Sequence, residues 1–247
     1  MIIVIAREKK MNFYREYLEP MLRKTAKVME ESEHMQDIVN GTMPPEKFKF
    51  QIMQNYQYLL DYLRTWSTAL AKCNDYEEMT DLLVIINDIY AGINHHRNYW
   101  GSYIGATPEE MDATIEAEGK RSYTAFQSMI AHTGTLAELV CAVFPCGIMY
   151  TYFGEDLLPK CHLPKDNVYY QWNAYYATDK YKQEAANKEA MINKYCAHKT
   201  EREIAKLLEI TADACNYEIL QWTNLYHNMA TWPLDDIFPK KFTTIKD

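Results

Sequence analysis

Scarcity of glycine is the feature that most constrains the fold of this chain. Only 8 of its 247 residues are glycine, whereas average usage of about 7% would give roughly 17. Folds rich in tight turns, hairpins and phosphate-binding loops place glycine where the backbone must adopt an unusual conformation. No alternating strand of useful length occurs beyond Met1–Ala6. The sequence therefore predicts an all-α protein.

Helical periodicity and helix-ending signals cover most of the chain. Gly41 ends one predicted helix, and Pro44 and Pro45 begin the next, the usual asymmetry of helix ends. Thr107 and the acidic residues after it form a predicted N-cap. The predicted helices span residues 13–39, 46–72, 75–103, 122–133, 136–158, 167–181, 183–208 and 213–229.

These helices, joined by short connections, predict one multi-helix domain without internal repeats or low-complexity linkers. We assign residues 11–231 to the domain, residues 1–10 to an N-terminal extension and residues 232–247 to a tail. The apolar run Met1–Ala6 is too short for a secretory signal, and its positive charges lie on the wrong side. We interpret it as a poorly ordered or docking segment.

Charge and cysteine usage exclude several classes of protein. The formal net charge of −8 argues against a basic face that binds nucleic acid. The sequence contains no run of 18 or more apolar residues, so it predicts no membrane span. The six cysteines show no metal-type spacing, so we expect free thiols in a reducing cytoplasm.

Cys146 is the first candidate for chemistry because it follows Pro145 within a predicted helix. A proline there removes a backbone hydrogen bond, and Gly147 lets another group approach closely. A thiol beside such a kink could be accessible and electrostatically tuned, as reactive thiolates are. The alternative is that Cys146 is a small core residue.

Polar and aromatic residues form two further candidate groups. Asn55 and Tyr58 share a helix face, as do Glu218, Gln221 and Trp222 at positions i, i+3 and i+4. A glutamate beside aromatic rings would have a raised pKa and could act as a general acid or base. Exposed or satisfied polar faces are the alternative for both groups.

Two other features favour structural interpretations. Trp172 and Tyr176 lie at i and i+4, and could stack on a flat ligand or fill a helix interface. His95 and His96 are adjacent, whereas metal binding on one helix face favours a spacing of four. We interpret both histidines as structural or surface residues and predict no metal site.

Five segments, in the same order, resemble the signature motifs of the thiaminase II (TenA) family. The first is similar to a motif of the form DGTLP…FRFYILQDYxYL. The likeness extends over residues 13–229, nearly the whole chain. The matching segments are Asn40–Leu59, Ser122–Thr124, Leu136–Tyr150, Trp172–Tyr176 and Tyr217–Trp222.

The resemblance implies a haem-oxygenase-like all-α fold and commonly a homotetramer. It also implies hydrolysis of thiamin or of 4-amino-5-aminomethyl-2-methylpyrimidine for thiamin salvage, without metal or organic cofactor. Cys146 matches the family nucleophile and Glu218 the catalytic acid or base. Four tyrosines match the phenols that line the substrate pocket: Tyr58, Tyr123, Tyr150 and Tyr176.

Two positions depart from the family pattern. Gln221 stands where the family often has phenylalanine, and Asn55 stands where it usually has aspartate. A carboxylate only accepts hydrogen bonds, so it pairs with a protonated, electrophilic aminopyrimidine. An amide both donates and accepts, which complements the neutral ring. Asn55 is therefore expected to bind the ring while activating it less.

The resemblance also implies the mechanism: the Cys146 thiolate adds to the pyrimidine ring, and Glu218 protonates the leaving group. Two other functions stay open. One is a non-catalytic pyrimidine-binding or regulatory protein, which Asn55 keeps plausible. The other is a metal-dependent oxidase on the same fold, although no run of histidine and carboxylate ligands of that kind occurs.

Overall fold

The computed structural model describes residues 12–228, and these are almost entirely helical. Short π-helical segments cover Tyr14–Leu18 and His95–Trp100, and a 3₁₀ turn covers Leu158–Lys160. The α-helices are α1 Glu19–Glu30, α2 Glu33–Asn40, α3 Pro45–Leu70, α4 Tyr76–Asn94, α5 Gly101–Tyr103, α6 Pro108–Asp112, α7 Glu118–Thr133, α8 Leu136–Asp156, α9 Val168–Tyr176, α10 Asp179–Tyr195 and α11 Glu201–Asn228.

The all-α prediction is confirmed, and several helix-ending signals act as expected. Gly41 adopts a left-handed conformation (φ 72°) at the end of α2, which favours glycine. Asp75 caps α4 by accepting from the backbone N–H of Glu78. Thr107 and Glu110 form a reciprocal capping box before α6.

Three predicted helices have wrong boundaries. The predicted helix 167–181 is divided at Ala177 and Thr178, because Thr178 caps the following α10. The segment predicted as one helix over 13–39 is divided at Glu31 and Ser32, and Ser32 caps the following α2. The predicted helix 183–208 is interrupted after Cys196, where His198 has a positive φ of 56° without being glycine. Its second part continues through the predicted 213–229 helix as the single helix α11.

Helix α8 is the centre of the bundle and packs against α1, α7, α9, α10 and α11. It runs through Pro145 without ending. Within residues 12–228, only Leu136–Lys160 is long and apolar enough to cross a membrane. The sequence analysis did not single out this segment, because it considered only uninterrupted runs of apolar residues. Its most apolar window is 78% buried inside the protein, as a central core helix would be.

A second layer surrounds this central helix and creates the space for a site. Helix α3 packs against α4 on one side and α7 on the other, while α10 packs against α8. A cavity lies where α3, α4, α8, α9 and α10 face one another. The predicted extension 1–10 and tail 232–247, and the outer limits of the 11–231 domain, lie outside the described residues.

Candidate active site

The cavity has a volume of about 470 Å³, and six tyrosines are among the residues that line it. This size suits a small organic molecule, and its aromatic walls would pack on a flat ring. Of the eight residues predicted for the site, five line it: Asn55, Tyr58, Cys146, Tyr150 and Tyr176. Tyrosines that the sequence analysis did not single out line it too: Tyr62, Tyr175 and Tyr181.

Cys146 on α8 lines the cavity, and Glu218 on α11 contacts it from behind the cavity wall; we call this region the closed end. The Cys146 thiol is half-buried, and its Sγ lies 3.6 Å from Oε1 of the fully buried Glu218. The same oxygen accepts a hydrogen bond of 3.1 Å from Nε1 of Trp222, one helical turn along α11. The predicted nucleophile and acid or base are thus brought into contact by the packing of α8 on α11.

Burial sets the protonation of this pair. It raises the pKa of the Cys146 thiol well above its ordinary value, and the neighbouring Glu218 raises it further. The raised pKa favours the neutral thiol, which is opposite to the expected tuning of Cys146 towards a thiolate by the proline kink. Burial also raises the pKa of Glu218, so both groups hold their protons more strongly than they would in water.

Lys120 on α7 is a third ionisable group at this closed end. It is almost fully buried, and its ammonium lies 4.8 Å from the ring centre of Tyr58 and 5.2 Å from that of Trp222. The cation lowers the pKa of both Cys146 and Glu218 against the effect of burial. Lys120 therefore favours one negative charge on the Cys146–Glu218 pair.

Tyrosine rings continue from this closed end along the walls. Tyr58 stacks on Tyr123 with ring centres 5.8 Å apart, and Gln127 donates a hydrogen bond to the Tyr58 hydroxyl. On the opposite wall, the ring centres of Tyr150 and Tyr176 are 4.6 Å apart. These contacts between protein side chains fix the positions of the tyrosine rings that form the cavity walls.

Two predicted substrate contacts lie behind the cavity wall. Tyr123 and Gln221 are fully buried and are not among the residues that line the cavity. The Gln221 amide instead lowers the pKa of the adjacent Glu218. Their assignment as substrate-binding residues stays a prediction.

A second part of the cavity wall contains Asn55 on α3, whose hydrogen-bond partner is uncharged. Nδ2 of Asn55 lies 2.9 Å from Nε2 of His96, and Nδ1 of His96 lies 3.1 Å from the backbone carbonyl oxygen of Gly92. Burial lowers the pKa of His96 to about 4, so this ring is uncharged near neutral pH. An amide and a neutral imidazole thus replace the charges found at the closed end.

Both histidines line the cavity, a position that the sequence analysis did not predict for them. They begin the π-helical segment that follows α4, and such segments are frequent at functional sites. His95 stacks between Tyr99 and Tyr175, with ring centres 4.8 and 5.3 Å away. Among residues 12–228, no three histidine, cysteine, aspartate or glutamate side chains converge as a metal site would need.

Lys188 on α10 reaches the cavity beside the nucleophile. A β-carbon added to Gly147 would lie 3.0 Å from Cε of Lys188, so the expected close approach at this glycine is confirmed. Burial lowers the pKa of Lys188, while Glu184 and Asp88 raise it. The positive charge of Lys188 is therefore partly balanced by the carboxylates of Glu184 and Asp88, which also line the cavity.

Sequence reasoning could have found Lys120 but not His96. Lys120 precedes Tyr123 and Gln127 by three and seven residues, which places it on the buried face of the same helix. The Asn55–His96 contact joins residues 41 positions apart, and it depends on a π-helical segment that no local pattern predicts.

Comparison with known proteins agrees with this architecture. Residues 14–228 match the TENA/THI-4/PQQC family. The chain belongs to this family. A domain of unknown function from Shewanella denitrificans, described as having a heme oxygenase-like fold, aligns with a TM-score of 0.69 at 11% identity, covering 85% of this chain and 90% of that one. The predicted haem-oxygenase-like fold is thereby confirmed.

Two similar sequences carry names from pyrimidine metabolism. The aminopyrimidine aminohydrolase of Halalkalibacterium halodurans is 28% identical over 194 residues, or 78% of this chain and 86% of that protein. The hydroxymethylpyrimidine/phosphomethylpyrimidine kinase THI20 of Saccharomyces cerevisiae is 26% identical over 192 residues, or 77% of this chain. The match covers only 35% of the yeast protein.

Proposed function

We propose that this protein is an aminopyrimidine hydrolase of the thiaminase II type. It releases 4-amino-5-hydroxymethyl-2-methylpyrimidine from the aminomethylpyrimidine or from thiamin. The observation that carries the proposal is the contact between Cys146 and the buried Glu218 at the closed end of a tyrosine-lined cavity. The similarity to an aminopyrimidine aminohydrolase supports it.

The first step forms a bond between sulfur and the ring. Glu218 removes the proton from the Cys146 thiol as Sγ attacks an electron-poor carbon of the pyrimidine. Lys120 stabilises the negative charge that moves between the two groups, because it lowers the pKa of both. Because burial raises the pKa of the Cys146 thiol, we propose that Glu218 removes the proton as the bond to the ring forms.

The second step exchanges the substituent on the exocyclic methylene carbon. Electrons from the ring expel the amine, and protonated Glu218 gives it the proton taken from Cys146. Water then adds to the exposed methylene carbon and returns a proton to Glu218. The ring expels the sulfur, which regains a proton, so the sum is substrate plus water giving alcohol plus ammonia.

Replacement of the nucleophile tests the proposal. Cys146→Ser should lower ammonia release by at least about a thousandfold, because a hydroxyl is a far weaker nucleophile than a thiolate. The hydroxymethylpyrimidine should still raise the melting temperature of the variant, which shows that the cavity is intact.

Cys73→Ser is the matched control, since Cys73 is also half-buried but contacts the Ala69 carbonyl outside the cavity. This control should keep its full rate. Undiminished turnover by Cys146→Ser would remove Cys146 from the mechanism.

Asn55 favours one alternative, a non-catalytic pyrimidine-binding role. Its amide suits a neutral ring, which is less electrophilic than a protonated one. In that case the aminomethylpyrimidine would stabilise the wild-type protein against heat without releasing ammonia. Measuring ammonia and melting temperature in the same samples separates the two functions.

We also propose that the chain self-associates, as the family resemblance to homotetramers implies. Helix α4 exposes apolar side chains, with Leu83 46%, Val84 52% and Tyr90 59% exposed. Val84 also lines the cavity, so a second copy on this face would adjoin the site. Sedimentation of the wild type should give about four times the chain mass, and Leu83→Glu should lower it.

The proposed setting is the cytoplasm, where thiols stay reduced. All six cysteines are free in the structure. The closest pair, Cys141 and Cys196, has its sulfurs 3.7 Å apart without a bond between them.

A further inference from the structure

The orientation of the Asn55 amide follows from a chain of hydrogen bonds that starts at the backbone. The Gly92 carbonyl can only accept, so Nδ1 of His96, 3.1 Å away, must carry the proton that it donates. The neutral ring then leaves Nε2 as an acceptor. Asn55 must therefore direct Nδ2 towards His96, 2.9 Å away.

This arrangement fixes which polar groups Asn55 offers to a ligand. One N–H of its amide is used by His96. Its carbonyl oxygen and second N–H make no other hydrogen bond within residues 12–228, and the side chain lines the cavity. A ligand therefore meets an acceptor and a donor side by side, in an order that cannot be exchanged without breaking the bond to His96.

A neutral 4-aminopyrimidine matches this order in one orientation. Its exocyclic N–H donates to the Asn55 carbonyl, and its adjacent ring nitrogen accepts from the amide N–H. A pyrimidin-4-one presents the reverse pair, a carbonyl oxygen beside a ring N–H. It matches Asn55 only when the ring is turned over, which carries its 5-substituent to the opposite side.

We propose that His96 is the specificity-determining residue that makes this site accept 4-aminopyrimidines and reject the corresponding 4-oxopyrimidines. The inference deepens the proposed function and rests on a pyrimidine being the ligand. His96 acts through Asn55, by preventing the amide from rotating to suit the oxo ring. The neutral state of His96 is stable near pH 7 because burial lowers its pKa to about 4.

Equilibrium binding of two matched rings tests the proposal without involving the reaction step. The probes are 5-hydroxymethyl-2-methylpyrimidines that carry either a 4-amino or a 4-oxo group. Calorimetry on the wild type should show at least about 30-fold tighter binding of the amino ring, since two mismatched hydrogen bonds penalise the other. Equal binding of the two rings would overturn the proposal.

Substitution of His96 gives the second arm of the experiment. The side chain of His96→Gln can donate or accept, so the Asn55 amide becomes free to rotate. The preference for the amino ring should fall at least about tenfold. His96→Ser offers the same choice with a smaller side chain, should the glutamine variant not fold.

His95→Gln is the matched control, because His95 lines the same cavity but stacks on Tyr99 and Tyr175 and makes no hydrogen bond with Asn55. It should keep the ratio of the two affinities even if both affinities change. An unchanged ratio in folded His96→Gln and His96→Ser would overturn the proposal.

The outcomes also separate this inference from the proposed hydrolase activity. Selective binding of the amino ring without ammonia release from its aminomethyl form would leave the specificity assignment standing and remove the activity. Ammonia release together with equal affinity for both rings would leave the hydrolase activity standing and remove the specificity assignment. If neither ring binds, both proposals are wrong.

Discussion

The two ends of the cavity differ in the kind of side chain they use. The closed end joins Cys146, Glu218 and Lys120, three ionisable groups that shift one another's pKa. The recognition end, around Asn55 and His96, uses an amide and an uncharged imidazole oriented by a backbone carbonyl. The first can move protons, whereas the second can only recognise a pattern of donors and acceptors.

This difference shows why three ionisable groups lie together around Cys146. Burying a charge without a partner is costly, and the closed end lowers that cost by placing a cation near a thiol and a carboxyl group. A charge at Asn55 would have no such compensation from His96, which stays neutral because it is buried. Reaction and recognition should therefore respond separately to substitution.

The largest expected effect is at Glu218, where both proton transfers occur. Glu218→Gln keeps an oxygen that can accept from Trp222 but cannot move a proton, so turnover should fall by about 10²–10⁴-fold. The affinity for the hydroxymethylpyrimidine should change little. Steady-state ammonia release and calorimetry measure the two quantities, and a turnover loss below about tenfold would contradict the assigned role.

A smaller effect is expected when the buried cation is removed. Lys120→Met should raise the pKa of Cys146, because the ammonium that lowers it is lost. The pH midpoint for alkylation of Cys146 by iodoacetamide should move upwards by about one unit, with about a tenfold slower reaction at a fixed pH below it.

Lys188→Met provides the comparison for this shift. Lys188 also lies near Cys146, but carboxylates at Glu184 and Asp88 offset its charge. Its removal should move the midpoint less than removal of Lys120 does. Equal shifts of the midpoint in the two variants would show that Lys120 lowers the pKa of Cys146 no more than Lys188 does.

The smallest expected effect is a gain at the recognition end. Asn55→Asp supplies a carboxylate that favours the protonated, more electrophilic ring, so kcat should rise by about fivefold, the worth of one stronger, charge-assisted hydrogen bond. Turnover at saturating aminomethylpyrimidine measures this. An unchanged or lower kcat would mean that Asn55 does not limit ring activation.

The sequence predicted the fold better than it predicted the cavity. The scarcity of glycine and the helical periodicity were sufficient to predict an all-α bundle, and capping residues such as Asp75 located several helix ends. The break near His198 was missed because a non-glycine residue adopts positive φ there. A pattern read from local sequence assigns such a position to a continuous helix.

The site depended on information that local patterns do not contain. Cys146 and Glu218 were paired by resemblance, since residues 72 positions apart meet only when α8 packs on α11. The protonation of the pair reverses the expectation for Cys146, because burial outweighs any effect of the proline kink. Burial of this kind is a property of the whole bundle.

The separation of reaction from recognition is tested most directly by measuring affinity and turnover in two variants side by side. Cys146→Ser should bind the hydroxymethylpyrimidine with wild-type affinity and release almost no ammonia from the aminomethyl form. Asn55→Leu should bind at least about 30-fold more weakly while keeping most of its kcat at saturation. Loss of affinity in Cys146→Ser, or wild-type affinity in Asn55→Leu, would contradict the division between the two ends.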